Sequence, residues 1–279
     1  MPVHIPHSIT EATQLLSDIP DSTLLNGGTD LMVEINFNHR KPKNVISLRG
    51  INELRSWSLD ETTQKIFIGS GVPYSEMENG ELKTMLPALA AASRTVGSPQ
   101  IRAAGTMGGN LGTCSPAGDT LPVLAALDAE IHLASVDGVR AMPFSEFMVG
   151  PKRNSKQANE LITGVSIPTA NGWQGYSKVG VRNAMVISVA SACLAIQNDS
   201  LRIALGSVGP TIIRCTETEN WWSNAINSGS QVTDSLVEEF SRRVASEARP
   251  IDDHRSTAEY RRHAISVLAK RLLQRSTQS

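Results

Sequence analysis

The stretch GSPQIRAAGTMGGNLGTCSPAGDTLPVLAALD, residues 97–128, decides how this chain is read. It carries Gly105, then Gly108 and Gly109, then Gly112, with Asn110, Thr113 and Ser115 set among them as hydrogen-bonding groups. Asp119 follows and opens a run, residues 120–127, that predicts a helix. Glycine lacks a Cβ, so its backbone can approach a ligand closely and take positive φ. A row of such amides near a helix N-terminus suits a phosphate or diphosphate. Taken alone, the same pattern fits a tight turn between two core elements equally well.

A second cluster lies upstream. Thr23-Leu24-Leu25-Asn26 is strand-like, Gly27-Gly28-Thr29-Asp30 follows, and Leu31-Met32-Val33-Glu34-Ile35 resumes with helical spacing. Strand, glycine turn and helix start again predict outward-pointing amides. Two such loops in one chain could share a single diphosphate ligand, and a dinucleotide has two halves to hold.

Composition bounds what surrounds them. With 279 residues, 40% of them hydrophobic, the chain can build one large or two modest domains around a true core. A net charge of −1 and 4% aromatic residues leave no electrostatic or stacking case for nucleic acid, and none for an anionic membrane. The N-terminal MPVHIPHSIT shows neither a basic nor an apolar signal region, and no run reaches the roughly 20 apolar residues of a spanning helix. The expectation is a cytoplasmic protein. Cys114, Cys193 and Cys215 are isolated, which suits a reducing compartment and offers no cluster of metal ligands. The six histidines form no metal-binding motif.

Along the chain, Ser8 and Glu11 form a capping box for a helix that Pro20 stops. Residues 44–48 predict a strand and 51–54 a turn or short helix. Residues 56–59 and 65–68 predict a hairpin. Residues 81–96 carry one apolar face, with Pro87 able to start the true helix and Gly97 to cap it. Strands are predicted at 129–135 and 160–167, the first turning at Asp137-Gly138 into 140–142, and a polar loop at 152–159. The character changes near residues 169–172. Strands follow at 175–181, 186–197 and 200–207, the last two joined at Asn198-Asp199, then helices at 232–247 and 257–274. Leu236, Val237, Phe240 and Val244, then Tyr260, Ala264, Val267, Leu268 and Leu272, mark the buried stripes. Arg242, Arg243, Arg261, Arg262, Lys270 and Arg271 predict a solvated face or, more sharply, a docking surface for an acidic partner.

Several nucleotide chemistries are excluded. Gly69-Ser70-Gly71 is followed by Tyr74 where a dinucleotide fingerprint needs glycine or alanine. No Gly-Lys dipeptide offers a phosphate-binding P-loop, and no Gly-x-Ser-x-Gly offers a hydrolase nucleophile.

The residues that remain carry a resemblance. Leu24-Leu25-Asn26-Gly27-Gly28-Thr29-Asp30-Leu31 resembles the first FAD loop of the medium subunits of the xanthine dehydrogenase and carbon monoxide dehydrogenase family, the flavoproteins of molybdenum hydroxylases. Gln100-Ile101-Arg102 with Gly105-Thr106-Met107-Gly108-Gly109-Asn110 resembles their second loop, and Ser115-Pro116-Ala117-Gly118-Asp119 leads into the helix that follows it. Tyr176-Ser177-Lys178 with Arg182 resembles the first strand of their C-terminal domain.

The resemblance implies an α+β fold. Residues 1–168 would be a two-subdomain FAD-binding domain of the vanillyl-alcohol-oxidase (PCMH) type, split as 1–55 and 56–168. Residues 169–279 would be a C-terminal domain of a small antiparallel sheet plus helices. It also implies FAD contacts. Leu25, Asn26, Gly27, Gly28, Thr29, Asp30 and Leu31 would lie along the diphosphate. Thr106, Gly108, Gly109 and Asn110 would close its other side, with Thr113 adding a hydroxyl. Asp119 would accept from the adenosine ribose, Ile162 would pack on the cofactor, and Lys178 would sit at the polar edge of the isoalloxazine. Asn26 stands where a small alanine is expected. Val186 stands where several relatives carry an aspartate near the flavin, the face at which NAD would react.

The implied function is electron transfer. Electrons would arrive from a molybdenum-cofactor subunit through a two-cluster [2Fe-2S] subunit and leave from FAD to NAD or another acceptor, during oxidation of a purine or other N-heterocycle. Molybdopterin and iron–sulfur clusters would belong to those partners. Two alternatives compete: a stand-alone FAD oxidase, for which Cys114 is the one candidate for covalent flavin attachment, and a scaffold that kept the fold and lost the cofactor.

Overall fold

Ser8 accepts a hydrogen bond from the Glu11 amide at 3.1 Å and starts the helix Ile9–Asp18, while the Glu11 carboxylate accepts from the His7 amide at 2.8 Å. Ala12 and Leu16 of this helix pack on Ile46, Leu48, Ile51, Leu54 and Leu161. The computed structural model in which these contacts occur describes residues 1–169, 172–197 and 200–278. The chain is α+β and divides into two compact units, each drawn from separate stretches of sequence.

The first unit comprises Met1–Met77, Ser98–Cys114 and Asp128–Pro168. A three-stranded parallel sheet runs in the order Val3–His4, Asn44–Ser47, Ser22–Leu25. A five-stranded antiparallel sheet runs Trp57–Asp60, Lys65–Gly69, Leu161–Pro168, Glu130–Ser135, Gly138–Pro143. Its inner face is apolar. Ile66, Ile68, Ile131, Leu133, Val165 and Ile167 are fully buried, and Ile66 pairs with Ile167 and Ile68 with Val165 across the ladder.

The second unit comprises Glu78–Gly97, Ser115–Leu127 and Thr169–Ser279. Gln174–Gly180, Ser188–Gln197, Ser200–Gly206 and Ile213–Arg214 form a four-stranded antiparallel sheet. The helices Asp234–Glu247 and Ala258–Ser276 complete a core that includes Leu194, Ile203, Leu205, Phe240, Val244, Ile265 and Leu272. The turn expected at Asn198-Asp199 lies outside the described residues, as do Ala170 and Asn171 of the stretch where composition changes. Among the described residues, no helix is long and apolar enough to cross a membrane.

Four expectations change. Most of the glycine-rich stretch is helical: Pro99–Ala104, capped by Ser98, and Met107–Thr113, capped by Thr106, precede Leu121–Ala126. The apolar face at 81–96 belongs to two helices, Gly80–Met85 and Pro87–Arg94, because proline disfavours the helical conformation in the residue before it, here Leu86. Within the loop expected at 152–159, Arg153–Asn154 pairs as a short strand with Met148–Gly150. The structure adds the helix Thr216–Asn227 and the strand Ile213–Arg214, for which the sequence pattern gives no expectation.

The basic face changes as well. Arg261 is 3% exposed, its guanidinium donating to the Val189 and Ser207 carbonyls at 2.7 and 2.8 Å and to Asp253 at 2.7 Å. Tyr260, expected in the core, is 49% exposed. Arg243 pairs with Glu239 and lies 4.6 Å above the Trp221 ring, and Lys270 pairs with Glu238.

Candidate functional site

In the first unit the two glycine motifs meet. The strand Ser22–Leu25 ends at Asn26, and the helix Leu31–Asn36 begins after Asp30. Between them, Gly28 has φ +74°, open to glycine and costly for other residues. A Cβ on Gly27 would lie 1.9 Å from the Ala104 carbonyl oxygen, so residue 27 rests against the backbone just before Gly105. Among the described residues, the amides of Gly27, Gly28, Thr29, Asp30 and Leu31 meet no protein acceptor. Five consecutive free amides in a glycine turn are a set of donors of the kind that suits a diphosphate.

The second motif opens the short helix Met107–Thr113. Its amides are already used: Met107 donates to Val72, Gly108 to Ser70 and Asn110 to Thr106 carbonyls, and Gly109 donates to the Thr106 hydroxyl at 3.1 Å. A Cβ on Gly108 would meet Ser70 Cβ at 2.4 Å. Glycine is needed at 108 for close packing against the chain itself. The Thr113 hydroxyl donates to Asp30 at 3.1 Å, and Asn26 Nδ2 donates to the Ser70 carbonyl at 3.0 Å. Ile162, on the strand Leu161–Pro168, is 6% exposed beside the register shift that precedes Gly164.

Sequence reasoning missed Lys152, which donates to Glu34 at 2.9 Å and whose ammonium is held protonated by Glu34 and, more weakly, by the charge of Asp30. Only its spacing from the glycine motifs could have pointed to it, and a lone lysine in a polar stretch carries no such signal.

In the second unit, the expected partners of two ends of the cofactor are partners of each other. Lys178 Nζ donates to Asp119 Oδ2 at 2.6 Å, to the Thr95 carbonyl at 2.9 Å and to the Val186 carbonyl at 3.1 Å. Its three N–H donors thus meet three protein acceptors. Asp119 Oδ1 accepts from the Tyr176 hydroxyl at 2.8 Å. Asp119 and Lys178 side chains are 8% and 9% exposed. Burial pushes the Asp119 carboxyl up, against the opposing pull of Lys178 and Tyr176. Asp119 and Lys178 thus form a buried ion pair joining three segments of this unit.

Cys114 is fully buried, and burial alone pushes its thiol up to about 11. A thiol so protonated is a poor nucleophile, which counts against covalent flavin attachment. Cys193 and Cys215 are also buried with raised values. A maleimide probe is expected to leave all three thiols unlabelled in the native chain and to label them on unfolding. Rapid native labelling of Cys114 would show that its surroundings open.

Comparison with known proteins identifies the family. The family model for the FAD binding domain in molybdopterin dehydrogenase matches residues 1–170, and that for the CO dehydrogenase flavoprotein C-terminal domain matches residues 176–276. The chain is 30% identical over 267 residues to the glyceraldehyde dehydrogenase medium chain of Sulfolobus acidocaldarius, covering 94% of this chain and 92% of that one. It is 37% identical over 203 residues to the nicotinate dehydrogenase FAD-subunit of Eubacterium barkeri, covering 70% and 68%. A carbon monoxide dehydrogenase structure from Hydrogenophaga pseudoflava shares the fold, with a TM-score of 0.90 at 24% identity over 100% of this chain and 97% of that one. This chain therefore belongs to the family of FAD-binding subunits of the molybdopterin dehydrogenases, which are oxidoreductases.

Proposed function

We propose that this chain is the FAD-carrying medium subunit of a molybdenum hydroxylase complex, receiving electrons from a two-cluster [2Fe-2S] subunit and passing them to NAD or another acceptor. Residues 1–168 are its FAD-binding domain and 169–279 its C-terminal domain. The observation that carries the reading is the run of five unpartnered amides at residues 27–31. These amides hold the diphosphate, with Gly28 supplying the turn and the backbone around Leu25 and Asn26 leading into it. Thr106, Gly108, Gly109 and Asn110 close the other side of the diphosphate, with Gly108 packed on Ser70 beneath the first turn's Asn26. Ile162 supplies an apolar surface to the cofactor. Bound FAD supplies the redox chemistry, and the protein supplies position and electrostatics. In the second unit, Asp119, Lys178 and Tyr176 fix the chain around Val186. Val186 brings no charge to that segment, so a non-nucleotide acceptor is as well served as NAD.

The substrate is oxidised on a molybdenum subunit. Three isolated cysteines cannot ligate two iron–sulfur clusters, each of which takes a set of four. The relatives named for nicotinate and for glyceraldehyde share this type of subunit, so the ring or aldehyde oxidised is chosen elsewhere in the complex. A purine or another N-heterocycle remains the proposed substrate class.

The purified chain is expected to take up FAD stoichiometrically and to turn over no heterocycle from a panel including xanthine and nicotinate. Adding a molybdenum subunit and an iron–sulfur subunit is expected to restore turnover. Substrate-dependent bleaching of the flavin in the chain alone would establish a stand-alone oxidase, and a colourless chain that binds no FAD would establish a scaffold.

A further inference from the structure

We infer that Asn26 and Thr113 act as positioning residues: they pin the two ends of the 27–31 turn, so that its amides stand ready for a diphosphate that neither side chain itself touches. This rests on the FAD reading above.

At one end, Asn26 Nδ2 donates to the Ser70 carbonyl at 3.0 Å, the same oxygen that accepts from the Gly108 amide at 2.8 Å. One carbonyl thus ties the first glycine motif to the second. At the other end, Thr113 Oγ1 donates to Asp30 Oδ2 at 3.1 Å. Thr113 closes the helix Met107–Thr113, whose first turn is fixed by Thr106. Both ties therefore run to the same short helix and its footing on Ser70, and between them lie the five amides without acceptors.

The arrangement answers two physical problems. Adjacent glycines give a turn more backbone freedom to lose on binding than other residues would, and rigid anchors at both ends remove part of that loss before the ligand arrives. Asp30 would also repel a diphosphate. The Thr113 hydroxyl and the neighbouring Lys152 ammonium, whose charge interacts with Asp30, hold that carboxylate and offset it. The small alanine expected at position 26 has no donor for Ser70, so the Asn26 tie is a feature of this chain.

The test uses the full chain, freed of flavin and titrated with FAD and with ADP, which keeps the diphosphate and lacks the flavin. Asn26→Ala and Thr113→Val are each expected to weaken both ligands by the same factor, roughly three- to ten-fold for one lost hydrogen bond. Asn26→Asp, equal in size without the donor, is expected to weaken them at least as much. Thr113→Ser, which keeps the hydroxyl, is expected to bind as wild type. The melting temperature of the flavin-free chain is expected to stay unchanged in all four. Unchanged FAD and ADP affinity in the alanine and valine variants overturns the inference. So does a loss for FAD without a loss for ADP, or a fall in melting temperature that parallels the fall in affinity. A wild-type chain that takes up no FAD overturns the FAD reading itself, and the inference with it.

Discussion

Lys178→Met is expected to destabilise the chain by about 3–5 kcal/mol, the cost of leaving one member of a buried ion pair without its partner. The methionine keeps the length of the side chain and removes the charge. Asp119, 8% exposed, would keep Tyr176 and Thr95 as side-chain partners without a compensating charge, and the Thr95 and Val186 carbonyls would lose the donor that Lys178 gives them. The double variant Asp119→Asn with Lys178→Met is expected to recover part of the loss, since the uncompensated charge is gone while the two carbonyls remain short of a donor. Urea midpoints measure both effects. The pH dependence follows from the same geometry. Burial already raises the Asp119 carboxyl in the intact protein, and removing Lys178 raises it further. The folded state then binds a proton that the unfolded chain, titrating near 3.8, has released, so the stability of the single variant is expected to rise as pH falls toward the carboxyl range. A Lys178→Met chain as stable as wild type, with no gain at lower pH, would make this pair a solvated one.

The parts of this arrangement that were legible in the sequence share one property: local patterning agrees with tertiary packing. Ser8 with Glu11, the alternation around Ile66 and Ile68, and the Phe240–Val244 stripe all read directly. The glycine-rich stretch read as loop because Gly108 and Gly109 weigh against helix by propensity. Yet Ser98 before Pro99 and Thr106 before Met107 are ordinary helix-start signals, and they decide the outcome. Thr216–Asn227 buries only Thr218 and Trp222, too little to show a stripe. Arg261 shows the opposite failure. It occupies the buried row continued by Ile265, Leu268 and Leu272, and a charge at a core position is visible only once Val189, Ser207 and Asp253 are there to receive it. The site divides in the same way. The turn at residues 27–31 follows from glycine chemistry, whereas the pairing of Asp119 with Lys178 joins residues 59 apart and left no trace in spacing.

The sharpest separation of packing from binding comes from three alanine substitutions. Gly27→Ala would place a Cβ 1.9 Å from the Ala104 oxygen, and Gly108→Ala would place one 2.4 Å from Ser70 Cβ and 2.8 Å from Ser70 oxygen. Both obstacles sit on backbone or at its root and cannot swing away. Each variant is expected to lose about 1–3 kcal/mol or more, the range for overpacking a close-packed interior, with FAD lost as the two motifs separate. Gly109→Ala is different. Its Cβ would meet only the Thr106 hydroxyl at 3.2 Å, and alanine is favoured over glycine inside a helix by up to about 1 kcal/mol. That variant is expected to melt close to wild type. Its flavin content then reports on the ligand alone. Because the Gly109 amide is turned to Thr106, the variant is expected to keep FAD. A Gly109→Ala chain that folds normally but stays colourless would put the diphosphate against this helix as well as the first turn, and equal melting of the alanine variants at 108 and 109 would remove the packing role assigned to Ser70.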